Sequence, residues 1–255
     1  GNTKTRLKPW SSHVNEHELL YWKRNQTVPA DPILTVPKTQ DFLLLSRTHK
    51  WWRATVVCDL YRRGLLSNST WSYNTIDIGD QLQDNPIETS RLDIDSDLEF
   101  FLDHAPYTCD NLSSDEHNDH HLHVSSHYTN TYCSIVLETL FDVDGSGGAF
   151  LTEKTFKCLK HGHPFVIVGA AGSLAALRDL GYRVFDHCID NSYDLIKDNT
   201  LRWQALVRTI QQIKSQDLYS WHLQCQDDLL YNQQLFLASK WNRLNRLDLD
   251  IQEME

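Results

Sequence analysis

The sequence contains no long apolar run, since none of its stretches approaches the roughly 18–20 consecutive apolar residues that a membrane-spanning helix needs. It also has no Cys-x-x-Cys pair, and no segment near its start has the pattern of a signal peptide. The six cysteines are scattered, several of them within apolar runs, where cysteine behaves as a small buried hydrophobe. We therefore expect no membrane span, reduced thiols and a cytoplasmic location.

Positive charge is scarce as well. The 255 residues include 24 lysines and arginines against 34 acids, which gives a formal net charge of −10. Because affinity for nucleic acids depends mostly on clustered basic side chains, this balance argues against a nucleic-acid partner. A small anionic ligand is compatible with it, since a few local bases suffice. The hydrophobic content of 40% is enough for one large domain or two small ones.

The first part of the chain predicts an arm followed by an α/β unit. Residues 1–40 are polar and interrupted by prolines, which indicates an irregular N-terminal arm. Phe42–Leu45 is a short apolar run typical of a buried strand, and apolar residues at helical spacing follow it up to Gly64. Trp71–Tyr73 suits a second strand, so the order is strand, helix, strand. A long polar insertion at about 77–130 comes next, acidic at first and then rich in histidine.

Strands and helices alternate again after the insertion. Tyr132–Leu137 and Pro164–Val168 are apolar runs that predict buried strands, and Tyr182–Phe185 predicts a short further strand. We therefore predict an α/β fold, a Rossmann-like parallel sheet with helices on both faces, over residues 41–198. Apolar residues at helical spacing over 199–255 predict C-terminal helices that pack on this domain.

The most informative strand end follows Tyr132–Leu137, because ligands of open α/β sheets bind beyond the carboxyl ends of the strands. A glycine-rich loop there leads to Thr152, Glu153 and Lys154, predicted as the N-cap and first turn of a helix that ends at Gly162. Free backbone N–H groups and the helix dipole suit a phosphate, with Lys154 adding a full charge and Glu153 accepting hydrogen bonds from sugar hydroxyls. The pattern alone is equally compatible with a Glu153 that complements the dipole beside a solvated Lys154.

These segments resemble the donor-binding half of GT-B glycosyltransferases, and most closely α-1,3-fucosyltransferases. The likeness is carried by Cys133–Thr139, Phe150–Phe156 and Gly162–Gly169, which follow the family's order of an apolar strand ending in an acid, an aromatic-x-Thr-Glu-Lys helix start and a Pro-containing apolar strand. The resemblance implies that Glu153 and Lys154 contact a nucleotide sugar, with the lysine on its diphosphate.

Further site residues follow from the same resemblance. It implies a donor-site role for Glu138, the acid at the strand end. A weaker likeness over Phe42–Tyr73 implies that Arg53 binds phosphate, with Arg47 and Lys50 as rival candidates. Together the two similar regions cover less than half of the chain.

The departures from the family pattern concern the catalytic partner. Thr139 stands where the family usually has Asn, and the acceptor domain that supplies the catalytic base has no recognisable counterpart. Near the predicted cleft, Glu138, Asp142 and Asp144 are the candidate bases by location. The chain is therefore expected to be a donor-domain fragment, a compact variant or one module of a longer multidomain enzyme.

Two further motifs suggest a ligand less strongly. The histidine-rich insertion offers His120, His121 and His123 as weak metal-ligand candidates, but it has no Cys and no HExxH arrangement, so a polar loop is the favoured interpretation. The turn Gly169–Ser173 lacks the complete GxGxxG pattern of a phosphate-binding loop. A tight strand-to-helix connection is favoured there, with Gly169 as a wall of the cleft.

The hypothesis that unites these features is a glycosyltransferase that moves a hexose or deoxyhexose from a nucleoside-diphosphate sugar to a glycan acceptor. By the resemblance the reaction is inverting and needs neither a metal nor another cofactor, because Arg, Lys and a helix N-terminus neutralise the departing diphosphate. One alternative is a non-catalytic nucleotide-sugar or carbohydrate-binding module of a larger enzyme. The other is a metal-dependent hydrolase that uses the histidine-rich loop.

Overall fold

The fold is built on a four-stranded parallel sheet with the strand order β2-β1-β3-β4. The computed structural model describes residues 29–76, 85–109, 124–142 and 149–238. The strands are β1 (Gln40–Thr48), β2 (Thr70–Ile76), β3 (Thr131–Leu137) and β4 (Phe165–Val168). The predicted α/β fold with a parallel, Rossmann-like sheet is confirmed.

Helices connect and flank these strands. They are α1 (Trp51–Arg62), α2 (Asp95–Asp103), α3 (Ser125–Asn130), α4 (Glu153–Lys160), α5 (Ser173–Asp179), α6 (Asn199–Lys214) and α7 (Leu218–Gln224), followed by a helical segment at 226–238. Short 3-10 turns lie at Thr89–Arg91 and Ser192–Leu195. Among the described residues, no helix is long and apolar enough to cross a membrane.

The strand order reverses between β1 and β3. The chain passes from β1 outward to β2, and from β3 outward to β4 in the opposite direction. Since crossovers between parallel strands are right-handed, α1 and α4 lie on opposite faces of the sheet. On the first face the ring of Tyr61 in α1 lies 5.7 Å from that of Trp71 in β2. The crevice at such a reversal is where open α/β sheets bind their ligands.

Burial along the strands follows from this layering. Every residue of β3 and β4 is buried, as their largely apolar runs predict for strands covered on both faces. In β1, Phe42 and Leu44 are fully buried on the α1 face, whereas Leu45 on the opposite face keeps 38% of its surface exposed. The sheet is therefore incompletely covered beside Leu45.

The C-terminal helices pack on the sheet domain. The indole of Trp203 in α6 is fully buried and donates a hydrogen bond to Asp59 of α1 at 3.0 Å. The Lys214 ammonium, at the end of α6, lies 2.8 Å from the Asp41 carboxylate. A turn at Cys225 separates α7 from the segment 226–238.

The prediction of a strand at Tyr182–Phe185 is wrong, because this segment is irregular. Its backbone groups form hydrogen bonds with a side chain and not with a neighbouring strand. The Arg183 N–H donates to the Asn232 amide oxygen, and the Arg183 carbonyl accepts from the Asn232 amide nitrogen, both at 2.8 Å. Phe185 then adopts a positive φ of 62°, which is incompatible with an extended strand.

Candidate functional site

A cavity of about 370 Å³ opens at the point where the strand order reverses. Its floor is the incompletely covered face of the sheet, with Leu43 and Leu45 of β1, Ser72 of β2 and Ser134 and Val136 of β3. One wall is the first two turns of α4, and the other comes from α3 and the segment 107–108. The floor thus offers apolar and hydroxyl-bearing side chains together.

Positive charge is concentrated around this cavity in an otherwise acidic chain. The basic side chains among its described lining residues are Arg47, Lys50, Arg53, Lys154 and Lys157. Burial, and then the neighbouring charges of Arg53 and Lys154, lower the pKa of Lys50. Since this shift reflects repulsion between the cations as well as desolvation, an anion in the cavity would offset that repulsion.

Arg53 is the most deeply buried of these cations, with 5% of its surface exposed. It lies in the first turn of α1, and its guanidinium donates to the Thr48 carbonyl at 3.2 Å and to the Glu138 carbonyl at 2.8 Å. These two bonds tie together the ends of β1 and β3. The Nε–H group has no hydrogen-bond partner, although a buried donor without a partner costs on the order of 1–3 kcal/mol.

Burial lowers the pKa of Arg53 to about 10, against the opposing attraction of Glu138 and Glu153. The guanidinium therefore remains charged at neutral pH. A fixed, charged guanidinium that lines the cavity and has donors left over from its two carbonyl contacts is suited to an anionic oxygen.

The N-terminus of α4 is organised by Glu138. Thr152 is the N-cap residue, but its hydroxyl donates to the Glu138 carboxylate at 2.6 Å instead of capping the helix. The Thr152 N–H donates to the other carboxylate oxygen at 3.1 Å, and the Thr155 hydroxyl donates to that oxygen as well. Glu138 thus supplies the negative charge that a helix N-terminus favours.

The position of Glu138 bears on its predicted role as a catalytic base. Its surface is completely buried, its carboxylate holds three donors from Thr152 and Thr155, and it is absent from the described cavity lining. A carboxylate in this arrangement is poorly placed to take a proton from a molecule in the cavity. The geometry supports a role in positioning the α4 N-terminus and, through its backbone carbonyl, Arg53.

Glu153 and Lys154, the predicted anion-binding pair, both line the wall of the cavity. The Lys154 ammonium is 3.0 Å from the Glu153 carboxylate and 3.1 Å from the Thr152 hydroxyl. The ammonium groups of Lys154 and Lys50 converge on Thr139, at 3.5 Å from its hydroxyl and 3.0 Å from its carbonyl respectively. Lys154 is therefore held at the cavity by protein contacts.

Gly169, predicted as a wall of the cleft, is not among the described residues that line the cavity. A Cβ atom at this position would be 3.2 Å from that of Glu138, and the Gly169 carbonyl accepts a hydrogen bond from Arg202 at 3.2 Å, so the residue packs tightly behind the described cavity lining. The N-terminus of the following helix α5 is filled by the Asp194 carboxylate, which accepts from the N–H groups of Leu174 and Ala175 at 3.0 and 3.1 Å. The turn is accordingly a tight connection whose helix end is already occupied by the protein.

The remaining residues that line the cavity differ in how well they can be predicted from the sequence. Lys157 lies one turn after Lys154, so the helical period places both on the same face once α4 is predicted. Tyr107 and His127 also line the cavity, but they belong to the polar insertion, which carries no periodic signal.

The metal-ligand candidates His120, His121 and His123 and the candidate base Asp144 lie outside the described residues. Within the described ranges there is no group of three His, Cys, Asp or Glu side chains that could hold a metal ion. Comparisons with protein-family models, with curated proteins and with solved structures found no match. The functional argument therefore rests on the cavity and its lining.

Proposed function

We propose that the protein is a glycosyltransferase that moves a hexose or deoxyhexose from a nucleoside-diphosphate sugar to a glycan acceptor. The observation that carries this proposal is the cluster of cations around the strand-reversal cavity, in a chain with a net charge of −10. Cations held close together repel one another, and an anionic ligand offsets this repulsion.

The arrangement of the charges supports a diphosphate. Arg53, Lys50 and Lys154 come from two different elements, the start of α1 and the start of α4, and they meet where the ends of β1 and β3 adjoin. Arg53 has a free Nε–H donor, while the two lysines converge on Thr139. Several fixed cations can share the charge of a pyrophosphate, including the charge that develops on the leaving group.

The uncharged part of the cavity supports a nucleoside. Its volume of about 370 Å³ lies within the range of about 300–1,000 Å³ typical of small-molecule sites. Leu43, Leu45 and Val136 offer an apolar surface for a base, and Ser72 and Ser134 offer hydroxyls beside it. Glu153 on the adjoining wall accepts hydrogen bonds from ribose or sugar hydroxyls.

The proposed chemistry follows from these parts. An acceptor hydroxyl attacks the anomeric carbon, the bond from that carbon to the diphosphate oxygen breaks, and the chain's cations hold the departing diphosphate. The hydroxyl proton needs a base, and Glu153 and His127 are side chains of the described lining that can serve as one. Attack opposite the leaving group inverts the configuration of the sugar.

Isothermal titration calorimetry with UDP, GDP and dTDP tests the donor site. Lys154→Ala is expected to weaken binding of the preferred nucleotide by about 10-fold to 100-fold, because it removes one charge-assisted contact. Lys197→Ala is the matched control, since Lys197 is exposed, lies outside the cavity lining and changes the net charge equally. If none of the nucleotides binds, or if both variants bind like wild type, the proposal is wrong.

Turnover separates an enzyme from a binding module. With the matching nucleotide sugar and a panel of glycan acceptors, the full chain is expected to release nucleoside diphosphate, and Lys154→Ala to lose most of this activity while keeping its far-UV circular dichroism. Tight nucleotide binding without release of diphosphate from any donor would instead identify a non-catalytic nucleotide-sugar module.

A further inference from the structure

Two cysteines lie in direct contact away from the cavity. The sulfur atoms of Cys188 and Cys225 are 2.9 Å apart, although 37 residues separate them along the chain. Cys188 belongs to the irregular stretch after Phe185, and Cys225 occupies the turn between α7 and the helical segment 226–238. Both are free thiols, and neither lines the cavity.

Hydrogen bonds between the two surrounding segments hold the two thiols next to each other. The indole of Trp221 donates to the Cys188 carbonyl at 3.1 Å, and the imidazole of His187 lies 2.9 Å from the Gln224 carbonyl. These bonds join the residues next to each cysteine to the opposite segment. Closing the sulfur–sulfur distance from 2.9 Å to the roughly 2.05 Å of a disulfide therefore requires a movement of less than about one ångström.

The two thiols differ in the way that thiol–disulfide exchange requires. Cys188 is partly exposed, whereas Cys225 is completely buried beneath it. The hydrogen bond with Cys225 and the nearby His187 lower the pKa of Cys188, against the opposing effect of burial. Cys188 is thus the accessible sulfur with the greater thiolate character, and Cys225 is placed to resolve a bond formed on it.

We propose that Cys188 and Cys225 are a redox-active pair that a low-molecular-weight disulfide, such as oxidised glutathione, converts into an intramolecular disulfide. The Cys188 thiolate attacks one glutathione sulfur, which forms a mixed disulfide and releases one glutathione. Cys225 then attacks the Cys188 sulfur and releases the second. The protein loses two electrons and two protons, and the reagent leaves as two glutathione thiols.

The cross-link joins the stretch containing Cys188 to the C-terminal helices and closes a loop that spans 37 residues. Closing a loop of this length restricts the unfolded chain, so the oxidised protein is expected to melt on the order of 5–10 °C higher than the reduced protein. Since the pair lies outside the cavity, this outcome is independent of the proposed glycosyltransferase activity.

The test equilibrates the full wild-type chain with glutathione at several ratios of oxidised to reduced form, traps free thiols by alkylation and maps peptides by mass spectrometry. We expect Cys188 and Cys225 to lose reactivity together and to appear as one cross-linked peptide, with the rise in Tm reversed by dithiothreitol. The rise should vanish in Cys188→Ser and Cys225→Ser and persist in Cys109→Ser. The proposal is overturned if both thiols stay alkylatable under fully oxidising conditions, or if the cross-links join other cysteines.

Discussion

Replacing Glu138 with Gln is expected to destabilise the protein without unfolding it. The Glu138 carboxylate accepts hydrogen bonds from the N–H and hydroxyl of Thr152 and from the hydroxyl of Thr155. Gln keeps one acceptor oxygen, but its amide nitrogen is a donor that cannot accept from a hydroxyl. It also removes the negative charge next to the N-terminus of α4.

The magnitude follows from these contacts. A hydrogen bond to a charged group contributes about 1.5–3 kcal/mol, and Glu138→Gln loses one such bond and the charge assistance of the others. The favourable interaction of a charge with a partly buried helix end adds up to about 2 kcal/mol. Because the two bonds to the retained oxygen survive, we expect a net loss of about 2–4 kcal/mol, which is less than the roughly 5–15 kcal/mol that holds a typical domain folded.

Urea unfolding followed by tryptophan fluorescence measures this loss. Thr155→Val is a matched variant of nearly equal shape that removes one donor, and the double variant with Glu138→Gln should show a coupling energy of about 1 kcal/mol or more, because the two residues share a hydrogen bond. A Glu138→Gln protein within about 0.5 kcal/mol of wild type would refute the positioning role. Full stability combined with lost turnover would return Glu138 to the role of catalytic base.

Three further predictions concern other parts of the molecule. Burial lowers the pKa of His222 to about 4, so between the ordinary value of about 6.5 and 4 the unfolded state binds a proton that the folded state excludes. Stability should therefore fall with decreasing pH in that window, and His222→Gln should reduce this slope by about 1.4 kcal/mol per pH unit in a series of urea titrations. Gly162→Ala should lower the free energy of unfolding by about 2 kcal/mol more than Gly64→Ala does. Both glycines have a positive φ, but a Cβ at Gly162 would clash with a side-chain carbon of Ile33, whereas the space at Gly64 is open. Lys50→Gln should weaken nucleotide binding and flatten its dependence on salt in calorimetric titrations, whereas an unchanged salt dependence would place the ligand away from Lys50.

Much of the sheet could be predicted from the sequence because its strands are short apolar runs between polar boundaries. β3 and β4 are buried on both faces, so apolar side chains dominate both faces of each strand and do not simply alternate with polar ones. The stretch Tyr182–Phe185 is also mostly apolar but is no strand, because the side chain of Asn232 satisfies the backbone of Arg183. A partner 49 residues away leaves no trace in the local pattern.

The site was predictable where one element was enough. The start of α4 can be predicted from the local sequence Thr152-Glu153-Lys154 alone. In the structure, Lys154 and Arg53 line one cavity. The role of Glu138 was less accessible, because its position at the end of a strand does not say which groups its carboxylate meets. Only the packing of α4 against the sheet shows that its oxygens bind the helix.

Glu138 and Arg53 together explain how an acidic chain maintains a cationic cavity. The backbone carbonyl of Glu138 accepts a hydrogen bond from the Arg53 guanidinium, while its carboxylate anchors the helix start that carries Lys154. Attraction to Glu138 and Glu153 also offsets part of the cost of burying the Arg53 charge. One residue therefore contacts both of the elements that carry these cations. Because protein contacts already fix these side chains, an anion that binds them loses little affinity to the ordering of side chains.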